Sequence, residues 1–130
     1  MDYVSSLGFK AERRFIEAWN ETSNYPPWIK SVRAATDIED FLEETDAVIA
    51  TIYGRSLRIQ IKLGHVGKRR KQIYFHKHIV ILQIKPEWPL HYIREKTLEA
   101  IKEYRIYLQD LDYRVQRRKR ERQQGLSQTT

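Results

Sequence analysis

The sequence predicts an α/β protein in which a central mixed β-sheet is flanked by helices. Residues 57–63 alternate apolar and polar side chains, as in a β-strand, and HIVILQI at 78–84 is almost entirely apolar, as in a strand buried on both faces. Residues 5–20 and 90–111 instead repeat their apolar side chains at helical spacing. Because helical and strand segments alternate along the chain, helices packed on a sheet are the expected arrangement.

Local signals then place each element in chain order. A first helix is expected from Ser5 or Ser6 to about Asn20, and the prolines of SNYPPW end it. A strand near 29–35, the acidic segment 36–46 and a hairpin over 45–62 follow, then a short basic helix and the buried strand. A long helix begins near Leu90 and continues into basic residues. We therefore predict one domain over 1–116, with a basic helix end and a disordered tail over 117–130.

Charge is the strongest compositional signal. The 130 residues carry 24 Lys and Arg against 17 Asp and Glu, a formal net charge of +7. Basic residues concentrate in KRRK at 68–71 and RRKRER at 117–122, whereas acidic residues concentrate at 36–46. This segregation favours a polyanionic partner such as nucleic acid over a merely solubilising surface charge.

Composition also excludes several classes of protein. The chain has no cysteine, which excludes disulfides and thiolate metal sites, and no apolar run approaches the roughly 20 residues of a membrane span. A cytoplasmic protein without membrane contact is expected. Its five glycines form neither a phosphate-binding loop nor a dinucleotide-binding pattern. His76 and His78 could begin a zinc site, but no third ligand stands at a fitting spacing.

Four polar residues occupy positions that a packed core does not need. Glu12 shares one side of the first helix with Phe9 and Ile16, Asp46 begins a buried strand, and Gln60 and Lys62 are one strand period apart. Each has an ordinary structural explanation: an edge glutamate paired with a neighbouring cation, a strand-start aspartate, and two solvent-facing polar residues. Together they also fit a cluster of side chains around a cation.

The hairpin turn decides whether these side chains can meet. A two-residue loop would place Asp46 on the face away from Gln60. A three-residue loop that ends at Gly54, in the left-handed conformation, pairs Thr51 with Arg55 instead. We predict this second register, which places Asp46 directly opposite Gln60 with both side chains on the face of Gln60 and Lys62, and Glu12 approaching from the first helix.

GFKAERRF, TDAVI and IQIK, in this order, resemble the motifs of the PD-(D/E)XK nuclease superfamily. In that family a helix glutamate precedes a strand aspartate, and an acidic-x-Lys triplet follows on the next strand. The resemblance covers about residues 5–85 and implies an αβββαβ restriction-endonuclease-like core, here with a long C-terminal helix. Thr45 replaces the name-giving proline, and Gln60 replaces the acidic residue of the triplet, giving a Q-x-K variant.

The resemblance implies a metal-dependent nuclease that hydrolyses phosphodiester bonds, with Glu12, Asp46, Gln60 and Lys62 in its active site. Mg²⁺, or Mn²⁺ as a substitute, is expected on Asp46, Gln60, Glu12 and the backbone carbonyl of Ile61. Lys62 is expected to orient the attacking water and stabilise charge on the phosphate. The partner is nucleic acid, DNA favoured over RNA, contacted by the basic residues Lys68, Arg69, Arg70, Lys71, Arg117, Arg118, Lys119 and Arg120.

Two other functions are compatible with the sequence. One is a catalytically inactive nucleic-acid-binding module on the same fold, which would not need Glu12 and Asp46. The other is a protein-interaction subunit that uses the long C-terminal helix. For the nuclease, a homodimer is the expected form for cutting two strands symmetrically, because a domain of this size has a single active site.

Overall fold

The computed structural model describes residues 3–20 and 25–128. It contains four helices and four strands in these ranges, which are α1 (Tyr3–Asn20), β1 (Ile29–Ala34), α2 (Asp37–Glu43), β2 (Ala47–Thr51), β3 (Ser56–Lys62), α3 (Lys68–His76), β4 (Ile79–Gln83) and α4 (Leu90–Gln128). The first helix begins at Tyr3, so Ser5 and Ser6 lie within it and not at its cap. No described helix combines the length and apolarity that a membrane span requires.

The four strands form one mixed sheet in the order β1-β2-β3-β4. The β1–β2 and β2–β3 pairs are antiparallel, whereas β3 and β4 are parallel and are connected through α3. Parallel neighbours need such a crossover, and the basic helix α3 supplies it. The predicted α/β class and the mixed sheet are therefore confirmed.

The main core lies between one face of this sheet and the two longest helices. Phe15 and Trp19 of α1 and Ile93 of α4 pack in one cluster with Ile59 and Ile61 of β3. On β4, alternate residues join this cluster, while those between them are buried on the opposite face, so that strand is covered on both sides as predicted.

Helix α2 was not among the predicted elements, although its signals are local. Thr36 accepts a hydrogen bond from the N–H of Glu39, and the Glu39 carboxylate accepts one from the N–H of Thr36, which forms a capping box. Arg33 of β1 adds a two-pronged pair to the same carboxylate at 2.6 and 2.9 Å. The acidic segment is therefore a helix fixed at its first turn.

Helix α4 is 39 residues long, about 58 Å at 1.5 Å per residue. Its first half packs on the core, whereas every residue from Gln109 to Gly125 is exposed. We call this exposed part, residues 109–125, the arm. The helix continues to Gln128, because no proline stops it and Gly125 alone costs only about 1 kcal/mol. Residues 129–130 lie outside the described residues.

Candidate functional site

The hairpin has the predicted register. The N–H of Thr51 donates to the carbonyl of Arg55 at 2.8 Å, and the loop between them ends at Gly54 with a φ of 81°. The ladder then runs regularly to the pair Ala47 and Ile59. Glycine adopts this left-handed conformation without strain, which is why one residue type could fix the pairing of both strands.

Asp46 departs from this register at the last step. One more regular pair would join it to Gln60, but its N–H turns to the carbonyl of Ile59 at 2.7 Å. Its carboxylate Oδ2 accepts a hydrogen bond from the N–H of Ile61, also at 2.7 Å. Asp46 and Ala47 thus both face Ile59, as at a β-bulge. The expectation that Asp46 pairs with Gln60 is therefore wrong, because the strand bends where the aspartate side chain replaces a main-chain acceptor.

Glu12 reaches the same point from α1. Its carboxyl group lies within hydrogen-bonding reach of the Asp46 carboxylate. Burial, followed by the negative charges of Asp46 and Asp40, raises the pKa of Glu12 to about 7. Burial also raises the pKa of Asp46, although the Ile61 N–H and the hydrogen bond from Glu12 oppose that rise. The hydrogen bond between the two carboxyl groups therefore raises the pKa of Glu12 and opposes the rise at Asp46.

Asp40 of α2 is a third carboxylate that sequence reasoning missed. It acts on both Glu12 and Asp46 through its charge, and it lines the same cleft of about 610 Å³. The cleft lies between α1 and the start of α2, with Phe9 and Arg13 at its rim. The T-x-x-E capping pattern at 36–39 could have identified Asp40, because it predicts a helix that begins here. In that helix Asp40, the residue after the pattern, faces the start of β2.

Gln60 and Lys62 project from β3 on the other side. Strand alternation points them away from Ile59 and Ile61, the face on which α1 packs. Among the described residues, Lys62 forms no salt bridge with Asp46 or Glu12. The structure therefore brings Glu12 and Asp46 together and leaves Gln60 and Lys62 on the opposite face of β3, so the four side chains do not meet on one face as we expected.

The side-chain oxygen of Gln60 is nevertheless unusual. Oε1 is buried and, in the part of the chain that the structure describes, it has no hydrogen-bond partner. A buried carbonyl oxygen without a donor costs about 1–3 kcal/mol, so its retention needs a reason. A cation or a water molecule bound to the oxygen would remove that cost.

These donors fit Mg²⁺ in kind. Within residues 3–20 and 25–128, no three His, Cys, Asp or Glu side chains form a group that could hold a metal ion. The cleft offers the carboxylates of Glu12 and Asp46, whereas the unpartnered Oε1 of Gln60 lies on the opposite face of β3. Mg²⁺ accepts a small number of protein oxygens and keeps several waters, so two carboxylates with the neighbouring main-chain carbonyl of Ile61 are within its range.

The KRRK cluster forms the first turn of α3. Lys68, Arg69 and Arg70 are exposed, and Lys71 pairs with Glu103 of α4 at 3.2 Å. Gly67 caps the helix without any side-chain hydrogen bond, so the first N–H groups of the helix have no capping acceptor. Cations beside these N–H groups are unfavourable for the helix itself, but the combination attracts anions.

The second basic cluster belongs to the arm. Arg117 pairs with Glu121 at 3.1 Å and Arg114 with Asp110 at 3.1 Å, both one helical turn apart. Glu103, which anchors Lys71, is 14 residues before Arg117, so the clusters are separated by about 21 Å along α4. The two basic clusters are therefore too far apart to form a single phosphate-binding patch.

The histidines lie against tyrosines of α4. Nδ1 of His78 is 3.0 Å from the hydroxyl of Tyr104, and Nδ1 of His76 is 3.4 Å from that of Tyr107. His76 ends α3 and His78 has a φ of 62°, so the two do not share a strand face. These contacts tie α3 to α4 and give the histidines a structural role.

Comparison of the chain with protein-family models, with curated proteins and with solved structures gave no match.

Proposed function

We propose that the protein is a metal-dependent nuclease with a restriction-endonuclease-like core. The observation that carries this proposal is the Asp46 carboxylate. It is fixed by the N–H of Ile61 on the neighbouring strand and faces Glu12 on α1. Two carboxyl groups with raised pKa values in a half-buried cleft form a pair whose negative charge a divalent cation would neutralise.

Each residue has a distinct part in the proposed reaction. Asp46 and Glu12 would hold the metal, and Glu12 would bind it as the deprotonated carboxylate. The main-chain carbonyl of Ile61 would complete the protein ligands, whereas Gln60 Oε1 lies on the opposite face of β3 and would join them only if its side chain turned toward Asp46. Bound Mg²⁺ supplies a Lewis acid for a phosphoryl oxygen and a more acidic water. Lys62, whose ammonium group forms no ion pair with the carboxylates, is available for the phosphate.

The basic first turn of α3 supports nucleic acid as the substrate, with DNA favoured. Phosphate contacts by Lys68, Arg69 and Arg70 would position a strand without reading its sequence. The turn follows β3 by only a few residues, so it lies near the end of the strand that carries Ile61 and Lys62. Binding and chemistry would therefore act on neighbouring parts of one strand.

A catalytically inactive nucleic-acid-binding module is the second candidate, and one observation favours it. Gln60 brings no negative charge, and neither it nor Lys62 contacts the pair formed by Glu12 and Asp46. Such a module would keep both basic clusters and would have no use for the charge of Asp46.

Cleavage assays with a matched substitution separate these functions. Purified protein is incubated with labelled single-stranded, duplex and branched DNA and with RNA, in Mg²⁺, Mn²⁺ or EDTA. We expect cleavage of at least one substrate with metal and none in EDTA. Asp46→Asn keeps an acceptor for the Ile61 N–H but removes the charge, so we expect an activity loss of roughly 100-fold or more with the fold intact.

Lys62→Ala should cause a comparable loss, and Lys85→Ala, another lysine of the same region, should cause none. Nucleic-acid affinity should change little in all three variants. Cleavage at the wild-type rate by Asp46→Asn or Lys62→Ala would contradict the assigned site. Tight binding without any cleavage would support the inactive module, and the absence of binding would support a protein-interaction subunit.

A further inference from the structure

Helix α2 presents an apolar surface that nothing in the described structure covers. Ile38, Phe41 and Leu42 are 70, 86 and 70% exposed, and the helix contains no buried residue. Side chains of this size are seldom left in water together on a seven-residue helix, and grouped exposure of this kind marks an interaction surface.

The same helix is strongly acidic. Residues 37–44 contain five Asp and Glu and no Lys or Arg. Three of these charges have basic neighbours: Glu39 pairs with Arg33, and Glu43 and Glu44 lie 3.9 and 3.7 Å from Arg58 and Lys77. The five acidic residues still exceed these three cations by two charges. The surface therefore stays negative overall and repels the phosphates of a nucleic acid, so its partner is a basic surface with apolar side chains.

The arm of α4 has this chemistry. Residues 114–122 contain six Lys and Arg and one Glu, and all of them are exposed. Leu111, Tyr113 and Val115 are also exposed just before and within this run. Over its whole length the arm, 109–125, has six Lys and Arg against three Asp and Glu, a net charge of +3, whereas α2 has four Asp and Glu and no Lys or Arg. Each surface also exposes three large apolar side chains, so the two are complementary in charge and in apolar character.

We propose that α2 of one copy of the chain binds the arm of a second copy, and that the exchange is reciprocal in a symmetric dimer. One α2 contact is too small for stable association by itself, but two-fold symmetry provides the contact twice. Neither Glu12 nor Asp46 takes part in this contact, although α2 also supplies Asp40 to the cleft and the arm carries the second basic cluster.

The fold allows this exchange. Lys77, just after α3, pairs with Glu44, just after α2, and the next residue, His78, contacts Tyr104 of α4, five residues before the arm. Helix α2 and the start of the arm therefore lie at the same end of the molecule. The arm projects about 25 Å beyond it over 17 residues, far enough for two antiparallel arms each to reach the partner's α2.

Sedimentation velocity on nucleic-acid-free protein, over a range of concentrations and at low and high salt, tests the association. We expect a monomer–dimer equilibrium that weakens as salt rises. Phe41→Ser should raise the dissociation constant about tenfold or more, because it removes the most exposed apolar group of α2. Tyr53→Ser, at a hairpin position 76% exposed, is the matched control and should leave the constant unchanged.

A charge exchange then identifies the two surfaces. D37K/E43K in α2 and R118E/R120E in the arm should each be monomeric, since both contacts of each homodimer oppose like charges. Their mixture should dimerise, because every contact in the heterodimer joins opposite charges. A monomeric wild type, unaltered dimers of either variant, a mixture that stays monomeric, or a mass increase only with added duplex DNA would each overturn the proposal.

Discussion

Helices α2 and α3 are both short, and their first turns carry opposite charge. The first turn of α2 contains Asp37, Glu39 and Asp40 beneath a complete capping box. The first turn of α3 contains KRRK, has no acidic residue and begins at Gly67 without a side-chain cap. Because the N-terminus of a helix is electropositive, the charges of α2 stabilise their helix and those of α3 destabilise theirs.

The difference shows which charges local structure explains. The acidic residues of α2 are accounted for by the cap and by the pair of Glu39 with Arg33, which together lower the pKa of Glu39 to about 2. In α3, by contrast, no acidic residue of the first turn stabilises the positive charges of Lys68, Arg69 and Arg70. Residues that oppose their own helix are better evidence for an external anion than the net charge of the chain is.

The largest expected effect follows from the α3 side of this comparison. Replacing Lys68, Arg69, Arg70 and Lys71 with alanine should weaken duplex DNA affinity roughly 100-fold and flatten the plot of log affinity against log salt by up to about three to four units. Fluorescence anisotropy at several salt concentrations measures both quantities. Lys71 also loses its exposed pair with Glu103, which is worth less than about 1 kcal/mol of stability.

The matched control removes the same charge elsewhere. Lys30, Arg55, Lys85 and Lys102 are exposed cations outside both clusters, and their joint replacement with alanine lowers the net charge equally. If both quadruple variants lose the same affinity and slope, general surface charge explains binding, and α3 is not a nucleic-acid contact.

An intermediate effect concerns the cleft to which α2 contributes Asp40. The pKa of Glu12 is raised to about 7, so the folded state binds its proton more tightly than the unfolded state does. Stability should therefore be greatest below about pH 4.5 for this group and fall as the pH rises toward 7. Because Glu12 is only half-buried, solvent screening leaves a change on the order of 1–2 kcal/mol.

Glu12→Gln should remove this slope and make the protein more stable than the wild type at pH 8. Urea unfolding at pH 5, 6, 7 and 8, with EDTA present, measures the difference. Glu99→Gln, on the exposed side of α4, is the control and should keep the wild-type slope. If wild-type stability instead rises between pH 5 and 7, and Glu12→Gln abolishes that rise, the raised pKa of Glu12 is contradicted.

Local chemistry accounts for what the sequence predicted well. Gly54 determined the register of β2 and β3, and the alternation of β3 and the apolar run of β4 determined which strands are buried. Asp46 was misplaced because a bulge depends on a side chain that accepts a main-chain bond, which pattern reading does not weigh. The face on which α1 packs is a tertiary choice, so the separation of Glu12 from Gln60 could not be read from spacing.

The smallest expected effect tests the α2 side of the comparison. Thr36→Ala removes the acceptor for the Glu39 N–H and should cost about 1 kcal/mol in the free energy of unfolding. Gly67→Ser adds a capping hydroxyl to α3, where a side chain meets open space, and should gain a few tenths of a kcal/mol. Urea unfolding at fixed pH measures both. If both changes are equally small, capping does not distinguish the two helices. The comparison of α2 with α3 then no longer supports an external anionic partner for KRRK.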